Sequence, residues 1–417
     1  MSERRVYQVE ERPPLKEALP LSIQHMFAMF GASVLVPTLF GIDPAVALFM
    51  NGFGTLLYIF LTKGKAPAFL GSSFAFIAPT FLIINNSQLG FRYALAGYVV
   101  SGLLFCVIAG IIYKFGSKWI DIALPPAAMG PVVALIGLEL AGTAASNGGM
   151  IGDVDPKNAV VFIVTLAVAV FGSVLFRKFF SVIPILLAIL AGYALSMALG
   201  LVDYTLILEA PLFALPNFQL PLFDFSAIMI ILPATLVVLS EHIGHQLVTG
   251  QVVGRDIVKD PGLHRTLLGD GLSTAISGFM GSVPTTTYGE NIGVMAITRV
   301  YSVWVIGGAA IISILVAFIG KISSAIQTIP GPVMGGVSFL LYGMIATSGI
   351  RLMVESKVDY NKSRNLSLTS VVLVVGLSGI SISLGEVQLT GMALAAIVAM
   401  VLSLVFHFLD KYRLTNE

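Results

Sequence analysis

Long apolar segments recur along this chain of 417 residues, and they limit what it can fold into. A helix that crosses a bilayer needs about 20 mostly apolar residues. Only 11% of the residues are charged, compared with about 25% in an average soluble domain. Because so few charges cannot coat a soluble fold of this size, the sequence predicts an all-α polytopic membrane protein. It argues against a soluble enzyme and a nucleic-acid-binding protein.

Fourteen segments fit the requirement for a membrane span, although the third and the tenth are short and interrupted. They lie at 18–40, 44–62, 67–84, 91–113, 119–143, 158–176, 180–202, 225–249, 262–280, 284–299, 300–320, 324–348, 364–384 and 388–408.

Positive charge is distributed unevenly between the two predicted sides of the membrane. With the N-terminus in the cytoplasm, 20 of the 23 Lys and Arg residues fall in cytoplasmic segments, and only Arg92, Lys157 and Lys321 do not. Cytoplasmic loops typically carry such an excess. The pattern predicts that both termini are cytoplasmic. Residues 1–17 are expected to form a cytosolic tail, because no short apolar core with a cleavage site marks them as a secretory signal.

The two halves of the chain resemble one another in three short stretches that keep the same order. The matched stretches are 51–55 with 270–274, 72–74 with 286–288, and 125–132 with 330–337. Seven segments per half is an odd number, so the halves would insert with opposite topology. Transporters with such inverted repeats bind substrate near the midplane, where interrupted helices meet. Because segments 3 and 10 occupy corresponding positions, they are the predicted binding site.

Few ionisable residues fall inside the predicted spans, where a charge is costly and therefore a functional candidate. They are Glu139, Glu241, Asp270, Glu290, His25, His242 and His245. Glu241 and His245 are four residues apart and share one helix face, so they could exchange a proton or form a structural ion pair. We interpret His242 as structural, because it points away from that face.

Glu290 lies in the stretch Pro284–Gly293, which begins with proline and threonines and then contains two glycines. This composition predicts a short extended segment that leads into a half-helix near Gly289, with free backbone N–H groups at its start. Glu290 could bind a ligand there or merely cap the helix. Ser72, Ser73 and Phe74 could begin a mirror-image half-helix in segment 3.

The remaining buried polar residues have weaker signals. Asp270 occupies the repeat position of Asn51, and we interpret it as serving helix packing rather than function. Glu139 has no evident partner in the sequence. The pair Gln24-His25 in segment 1 could reach the site or brace a helix.

The predicted site suits a particular kind of ligand. Two carboxylates accept hydrogen bonds, backbone N–H groups donate them, and aromatic faces stack on planar rings. A planar ring with both N–H donors and C=O acceptors fits all three features. A simple inorganic anion fits poorly against two acids, and a cation would need more oxygen ligands. The single cysteine, Cys106, excludes a disulfide framework or a cysteine metal cluster, and no cofactor is expected.

Several of these stretches resemble the nucleobase–ascorbate transporter family. They are Gln24-His25, Gly71-Ser72-Ser73-Phe74, Glu241-His242-Ile243-Gly244-His245 and the signature-like run from Glu290 to Arg299. The resemblance covers essentially the whole chain. The stretch Gly281–Asn291 is most similar to that of the bacterial uracil permeases in this family.

The resemblance implies a 7+7 inverted repeat, divided into a core domain and a gate domain. The core would comprise 18–115 and 225–320, the gate 116–224 and 321–408, and the cytosolic tails 1–17 and 409–417. Segments 3 and 10 would each contain a short β-strand, and the two strands would pair antiparallel. The protein is expected to form a homodimer through the gate.

The resemblance also implies roles for individual residues. Glu241 and Glu290 would hydrogen-bond the pyrimidine ring, Phe74 and Gly289 would offer backbone N–H groups, and Tyr288 would line the pocket. His245 would couple protons together with Glu241 and Glu290. Supporting roles would fall to Gln24, His25, Ser73 and Asn291.

These observations lead to one expected function and two alternatives. The expectation is a proton-coupled uracil importer of the bacterial inner membrane that works by alternating access, is not an enzyme and holds no metal. The first alternative is a proton symporter for a purine such as xanthine or urate. The second is an anion transporter or channel of the same architecture.

Overall fold

The computed structural model describes residues 6–384 and 387–415, and this part of the chain is mostly helical. Seventeen α-helices lie within it. They are α1 (Leu15–Leu39), α2 (Pro44–Leu61), α3 (Ile77–Ile84), α4 (Phe91–Phe115), α5 (Lys118–Ala123), α6 (Pro126–Asn147), α7 (Pro156–Leu175), α8 (Pro184–Ala198), α9 (Thr205–Glu209), α10 (Phe225–Val253), α11 (Leu263–Phe279), α12 (Gly289–Thr298), α13 (Val303–Ala317), α14 (Gly320–Gln327), α15 (Gly331–Glu355), α16 (Ser363–Leu377) and α17 (Gly391–Lys411).

Short elements interrupt this helical framework. They are the strands β1 (Leu70–Ser72), β2 (Thr285–Thr287), β3 (Ser381–Leu384) and β4 (Val387–Thr390), the 3₁₀ turns Phe74–Phe76 and Lys178–Val182, and the π turn Val258–Gly262. Strand β1 pairs antiparallel with β2, and β3 pairs antiparallel with β4. Eight helices within the described ranges are long and apolar enough to cross a membrane, and four shorter ones are also apolar. The chain is a multi-pass membrane protein.

Prolines and aspartates mark where many of the helices begin. Pro44 and Pro156 start α2 and α7, where a missing N–H removes no helical hydrogen bond. The side chain of Asp43 accepts a hydrogen bond from the Ala45 N–H, and Asp155 caps α7 in the same way. Such caps satisfy backbone donors that the first helical turn leaves free.

Three predicted segment boundaries differ from the structure. Segment 119–143 is two helices, because the chain breaks at Pro125 between α5 and α6. Segment 324–348 likewise begins only at Gly331, after Pro330, and α14 precedes it as a separate helix. The prediction that segment 364–384 stays helical to its end is wrong. Helix α16 ends at Leu377, Gly379 adopts a positive φ of 72°, and β3 follows.

Glycines allow two pairs of helices to approach closely. A Cβ on Gly349 of α15 would lie 2.4 Å from the Gly130 carbonyl oxygen of α6. A Cβ on Gly102 of α4 would lie 2.5 Å from the Gly271 carbonyl oxygen of α11. Small residues at such positions let helix backbones pack directly against each other in a membrane protein.

The segment before α1 is ordered and packs against the end of α12, so we call residues 6–12 the N-terminal strap. The Tyr7 N–H donates to the Arg299 carbonyl, and the Val303 N–H donates to the Val9 carbonyl. Val9 is fully buried in a small cluster that includes Tyr58 and Val253. The predicted tail 1–17 is therefore, from residue 6 onward, part of the folded structure.

Candidate functional site

The centre of the site is the two-stranded pair of β1 and β2. Leu70 pairs with Thr287, and Ser72 pairs with Thr285. Two further backbone bonds extend the pair, because the Ser73 N–H donates to the Pro284 carbonyl and Tyr288 donates to Phe69. Every residue of both strands is buried. The expectation of short antiparallel strands in segments 3 and 10 is confirmed.

Hydroxyl groups of the neighbouring helices hold the strands in place. Thr55 of α2 accepts a hydrogen bond from the Leu70 N–H at 2.8 Å. Thr274 of α11 donates to the Thr285 carbonyl at 2.7 Å. The Ser72 hydroxyl donates to a backbone carbonyl of α1. Because a pair of three-residue strands has few backbone bonds of its own, these hydroxyls supply much of its anchorage.

Each strand leads into a helix start that has no side-chain cap. The 3₁₀ turn at Phe74 follows Ser73, and α12 starts at Gly289 after Tyr288; neither Ser73 nor Tyr288 caps its helix with a side-chain hydrogen bond. The first N–H groups of a helix have no partner within the helix. Two sets of backbone donors therefore flank the strand pair, and they can bind the carbonyl groups of a ligand.

Aromatic rings lie beside these helix starts. The rings of Phe74 and Tyr288 are stacked, with 6.4 Å between centroids and an interplanar angle of 24°. Tyr342 of α15 meets Phe74 edge-on at 5.8 Å and is buried. The Tyr288 ring also covers Gly71, where a Cβ would lie 2.1 Å from the ring carbon Cζ. No motif or spacing in the sequence pointed to Tyr342.

Two carboxyl groups face the same region. Glu241 of α10 is buried, Glu290 lies in the first turn of α12, and Glu241 interacts electrostatically with Asp270 as well as with Glu290. Within the described residues, neither Oε2 of Glu241 nor Oε1 of Glu290 has a hydrogen-bond partner. These oxygens can accept hydrogen bonds from the N–H groups of a ligand or can carry a proton.

His245 connects α10 with the second strand. Its Nδ1 lies 3.2 Å from the Thr287 hydroxyl, and its Nε2 lies 3.2 Å from where a Cβ on Gly289 would be. Of the contacts described, none is a hydrogen bond or ion pair between His245 and Glu241. The two side chains lie on neighbouring turns of α10, and His245 contacts β2 directly.

The supporting residues are all buried. Gln24 and His25 lie in α1, His25 next to Asn291 of α12. Neither the His25 ring nitrogens nor the Asn291 amide forms a well-oriented hydrogen bond with any described residue, and the same is true of the Ser73 hydroxyl. These groups are therefore available to a ligand or to each other after a small movement.

His242 and Asp270 form a buried pair that contacts β2. His242 Nδ1 lies 2.7 Å from an Asp270 oxygen, and His242 Nε2 lies 3.1 Å from the Thr266 hydroxyl. The Thr286 hydroxyl donates to the same Asp270 oxygen. This pair ties α10 and α11 to the strand, as a packing role for both residues would require.

Glu139 lies elsewhere, between α6 and α17. One of its oxygens accepts a hydrogen bond from the Met392 N–H at 2.7 Å, at the start of α17. Nothing in the sequence indicated this partner, because 253 residues separate the two. No group of three or more His, Cys, Asp or Glu side chains in the described ranges could hold a metal ion.

A match to a protein-family model identifies the family of this chain. The family model Xan_ur_permease, described as "Permease family", matches residues 16–385. The chain therefore belongs to this family, which is the nucleobase–ascorbate transporter family that the sequence motifs resemble. Membership makes the protein a membrane transporter rather than an enzyme.

Several curated permeases are similar to this chain over most of their length. The uracil permease of Escherichia coli K12 is 58% identical over 414 residues, which cover 98% of this chain and 96% of the relative. The uracil permease of Bacillus subtilis is 47% identical over 399 residues, covering 92% and 91%. A putative pyrimidine permease of Escherichia coli K12, RutG, is 37% identical over 402 residues, covering 94% and 90%.

Solved structures of low sequence identity have the same fold. The transmembrane domain of the cyanobacterial bicarbonate transporter BicA matches with a TM-score of 0.64 at 13% identity, covering 96% of this chain and 98% of that domain. Murine Slc26a9, an anion transporter in the inward-facing state, matches with a TM-score of 0.73 at 9% identity, covering 96% and 69%.

Proposed function

We propose that this protein is a proton-coupled uracil importer. One observation carries the proposal. Glu241 and Glu290 each have a carboxyl oxygen without a hydrogen-bond partner in the described part of the chain. These oxygens lie near two uncapped helix starts and a stacked aromatic pair. Uracil is planar and carries N–H donors and C=O acceptors in one ring. Its donors match the carboxyl groups, and its acceptors match the backbone N–H groups at Phe74 and Gly289. The uracil permeases among its relatives support the same substrate.

The proposed coupling depends on the acids. A carboxylate in a site of low dielectric constant favours its neutral form, because burial penalises charge. We propose that substrate and proton enter together from outside, that protonation at Glu241 or Glu290 removes buried charge, and that both leave into the cytoplasm. His245 completes the relay through its position between α10 and β2. Proton rather than sodium coupling is favoured because the side chains of Glu241, Glu290 and His245 can take up and release a proton.

Alternating access would follow from an inverted repeat of seven plus seven segments. Thr55 and Thr274 occupy equivalent repeat positions, and each binds its own central strand. Helices α6 and α15 both begin directly after a proline at equivalent positions, and each follows a short helix. These correspondences support a core domain of 18–115 and 225–320 that moves against a gate domain of 116–224 and 321–408. The gate would also carry a homodimer interface.

The proposed orientation places both termini in the cytoplasm, in a bacterial inner membrane. The excess of Lys and Arg on that side supports it. A cysteine introduced near either terminus should then react with a membrane-impermeant maleimide only after the cells are opened. Labelling in intact cells would overturn the orientation.

Uptake into proteoliposomes tests the function. Labelled uracil should accumulate along an inward proton gradient without sodium, and a sodium requirement with no response to the proton gradient would refute the coupling. Glu241→Gln should lose the gradient response. Glu290→Ala should weaken uracil binding by between about tenfold and a hundredfold, as expected for a lost hydrogen bond to a charged group. Glu139→Gln, a matched change outside the site, should leave uptake unchanged.

Two other functions remain as alternatives to be measured. Competition of unlabelled xanthine or urate against uracil would reveal a purine transporter. An anion transporter is favoured only by the fold shared with BicA and Slc26a9. Glu241 and Glu290 oppose it, because acidic groups in a pore repel anions. Chloride or bicarbonate flux that survives saturating uracil would refute the nucleobase assignment.

A further inference from the structure

A groove of about 890 Å³ lies outside the substrate site, on the outer surface between α1, α2 and α13. Its wall is apolar; the lining side chains include Leu19, Leu56, Ile59, Ile311, Ile312 and Leu315. Leu15, Leu19 and Leu315 are more than half exposed, so this surface faces the lipid in a membrane protein. Gly307 and Gly308, in the middle of α13, also line it.

The groove has a charged rim at one end only. Arg12 of the N-terminal strap and Lys63 after α2 are exposed there, and the Arg12 guanidinium lies 4.9 Å from the centre of the Trp304 ring. Glu10 also lines the rim, but its carboxylate is bonded to Arg255. No hydrogen bond or ion pair joins Arg12 or Lys63 to an acid within the described ranges.

The rim lies at a membrane interface. Helix α2 ends, and α1 and α13 begin, at this level, so the charged groups lie where the spans leave the hydrocarbon. A tryptophan such as Trp304 is typical of that depth. From Val303 to Leu315 the lining of α13 extends about 18 Å, close to the thickness of one leaflet of about 15 Å.

We propose that this groove binds one anionic phospholipid of the leaflet next to the N-terminus of α1. An acyl chain would lie along the apolar wall over Gly307, and the phosphate would lie between Arg12 and Lys63. Because Arg12 belongs to the strap that pairs with residues 299–303, the lipid would also hold the strap against the end of α12. The proposal does not depend on which substrate is transported.

Thermal-shift titration of the purified, delipidated full-length protein tests the proposal. Dioleoylphosphatidylglycerol should give a saturable stabilisation, and dioleoylphosphatidylcholine, which has the same acyl chains, should give a much weaker one. The double variant Arg12→Gln/Lys63→Gln should bind phosphatidylglycerol about thirtyfold more weakly, as expected for two lost cations at an anionic surface. Equal responses to the two lipids would refute a role for the rim.

A matched control separates this site from general electrostatic attraction. Lys114 and Lys118 are exposed at the end of α4 and the start of α5, and Lys114 lies over the Phe115 ring as Arg12 lies over Trp304. Lys114→Gln/Lys118→Gln should leave phosphatidylglycerol affinity unchanged. A loss equal to that of the first double variant would refute a specific site. An unchanged unfolding temperature of each variant without added lipid verifies folding.

A third variant tests where the acyl chain lies. A Cβ on Gly307 would make only ordinary contacts, 3.7 Å to Ile59 and 3.8 Å to Leu56, so Gly307→Leu fills the groove without a backbone clash. It should weaken binding of the lipid at least tenfold; unchanged binding would overturn the acyl position. Equal stabilisation by inorganic phosphate would identify a simple anion site instead. Loss of a dimer in Gly307→Leu would identify a second copy as the occupant.

Discussion

The contact between Gly71 and Tyr288 predicts how much a methyl group at position 71 would weaken uracil binding. Gly71→Ala would place a methyl group 2.1 Å from Cζ and 2.2 Å from Cε2 of the Tyr288 ring. Carbon atoms in contact are normally about 3.5–4.0 Å apart, so the ring or the strand must move by about 1.5 Å. The strand is held by its pairing with β2, so the ring moves.

The displaced ring has little free space. Tyr288 is buried and stacked on Phe74, so a displaced ring shifts toward the space that we assign to the substrate. Overpacking of this kind costs about 1–3 kcal/mol. If binding must reverse the shift, uracil affinity falls by about 5- to 150-fold. Strand pairing itself should persist, so the protein should still fold.

Calorimetric titration of uracil into the purified protein measures the effect. Gly293→Ala in α12 is the matched control, because a Cβ there meets no other atom within 4 Å, and its affinity should equal that of the wild type. In a Tyr288→Ala background the clash is absent, so adding Gly71→Ala should lower uracil affinity by less than threefold. Wild-type affinity for Gly71→Ala, or an undiminished loss in the double variant, would refute the reasoning.

Three further predictions concern buried and surface acids. Asp270→Ala leaves the His242 imidazole buried without its acid and should destabilise the protein by about 3–5 kcal/mol, whereas Asp270→Asn should cost less; chemical unfolding followed by tryptophan fluorescence tests both. Glu139→Ala removes the acceptor at the start of α17 and should cost about 1 kcal/mol in the same assay, unlike Glu139→Gln. The hydrogen bond from Arg255 lowers the pKa of Glu10, so this contact stabilises the strap fully above pH 4.5 and is lost as the pH falls further. Amide hydrogen exchange should show that the wild-type strap loses stability as the pH falls below 4.5. An equal loss in Glu10→Gln, which has no carboxylate at this position, would contradict the prediction.

The apolar segments predicted the helical framework well, because a bilayer imposes a length and a composition on every span. Each predicted segment overlaps at least one described helix, and the strands in segments 3 and 10 are where the sequence motifs indicated them. The breaks at Pro125 and Pro330 were missed because hydropathy averaged over a long window does not register a single helix-ending proline. The paired strands β3 and β4 were missed because Ile382, Leu384, Val387 and Leu389 keep the average hydropathy of these stretches high.

Within the site, the sequence could identify candidate residues but not their partners. His242 and Asp270 are 28 residues apart, and nothing in the spacing predicts that they meet. Glu241 and His245 are four residues apart, yet His245 contacts Thr287 on another segment. Tyr342 meets Phe74 edge-on from α15, and nothing in the sequence around Tyr342 indicates that contact. Such long-range contacts depend on how helices pack, which periodicity within one helix does not encode.

The buried acids of the site differ in how many of their oxygens have hydrogen-bond partners among the described residues. Asp270 Oδ2 lies within hydrogen-bond distance of both His242 and Thr286 and so ties neighbouring elements together, whereas Oδ1 has no partner among the described residues. In the described part of the chain, Glu241 Oε2 and Glu290 Oε1 have no partner, and each such buried group costs about 1–3 kcal/mol. A ligand with N–H donors recovers that cost by donating to the ionised carboxylates, whereas a ligand of acceptors alone can bind only a protonated carboxyl group. The site should therefore discriminate between planar rings by the positions of their N–H groups, more than by their size.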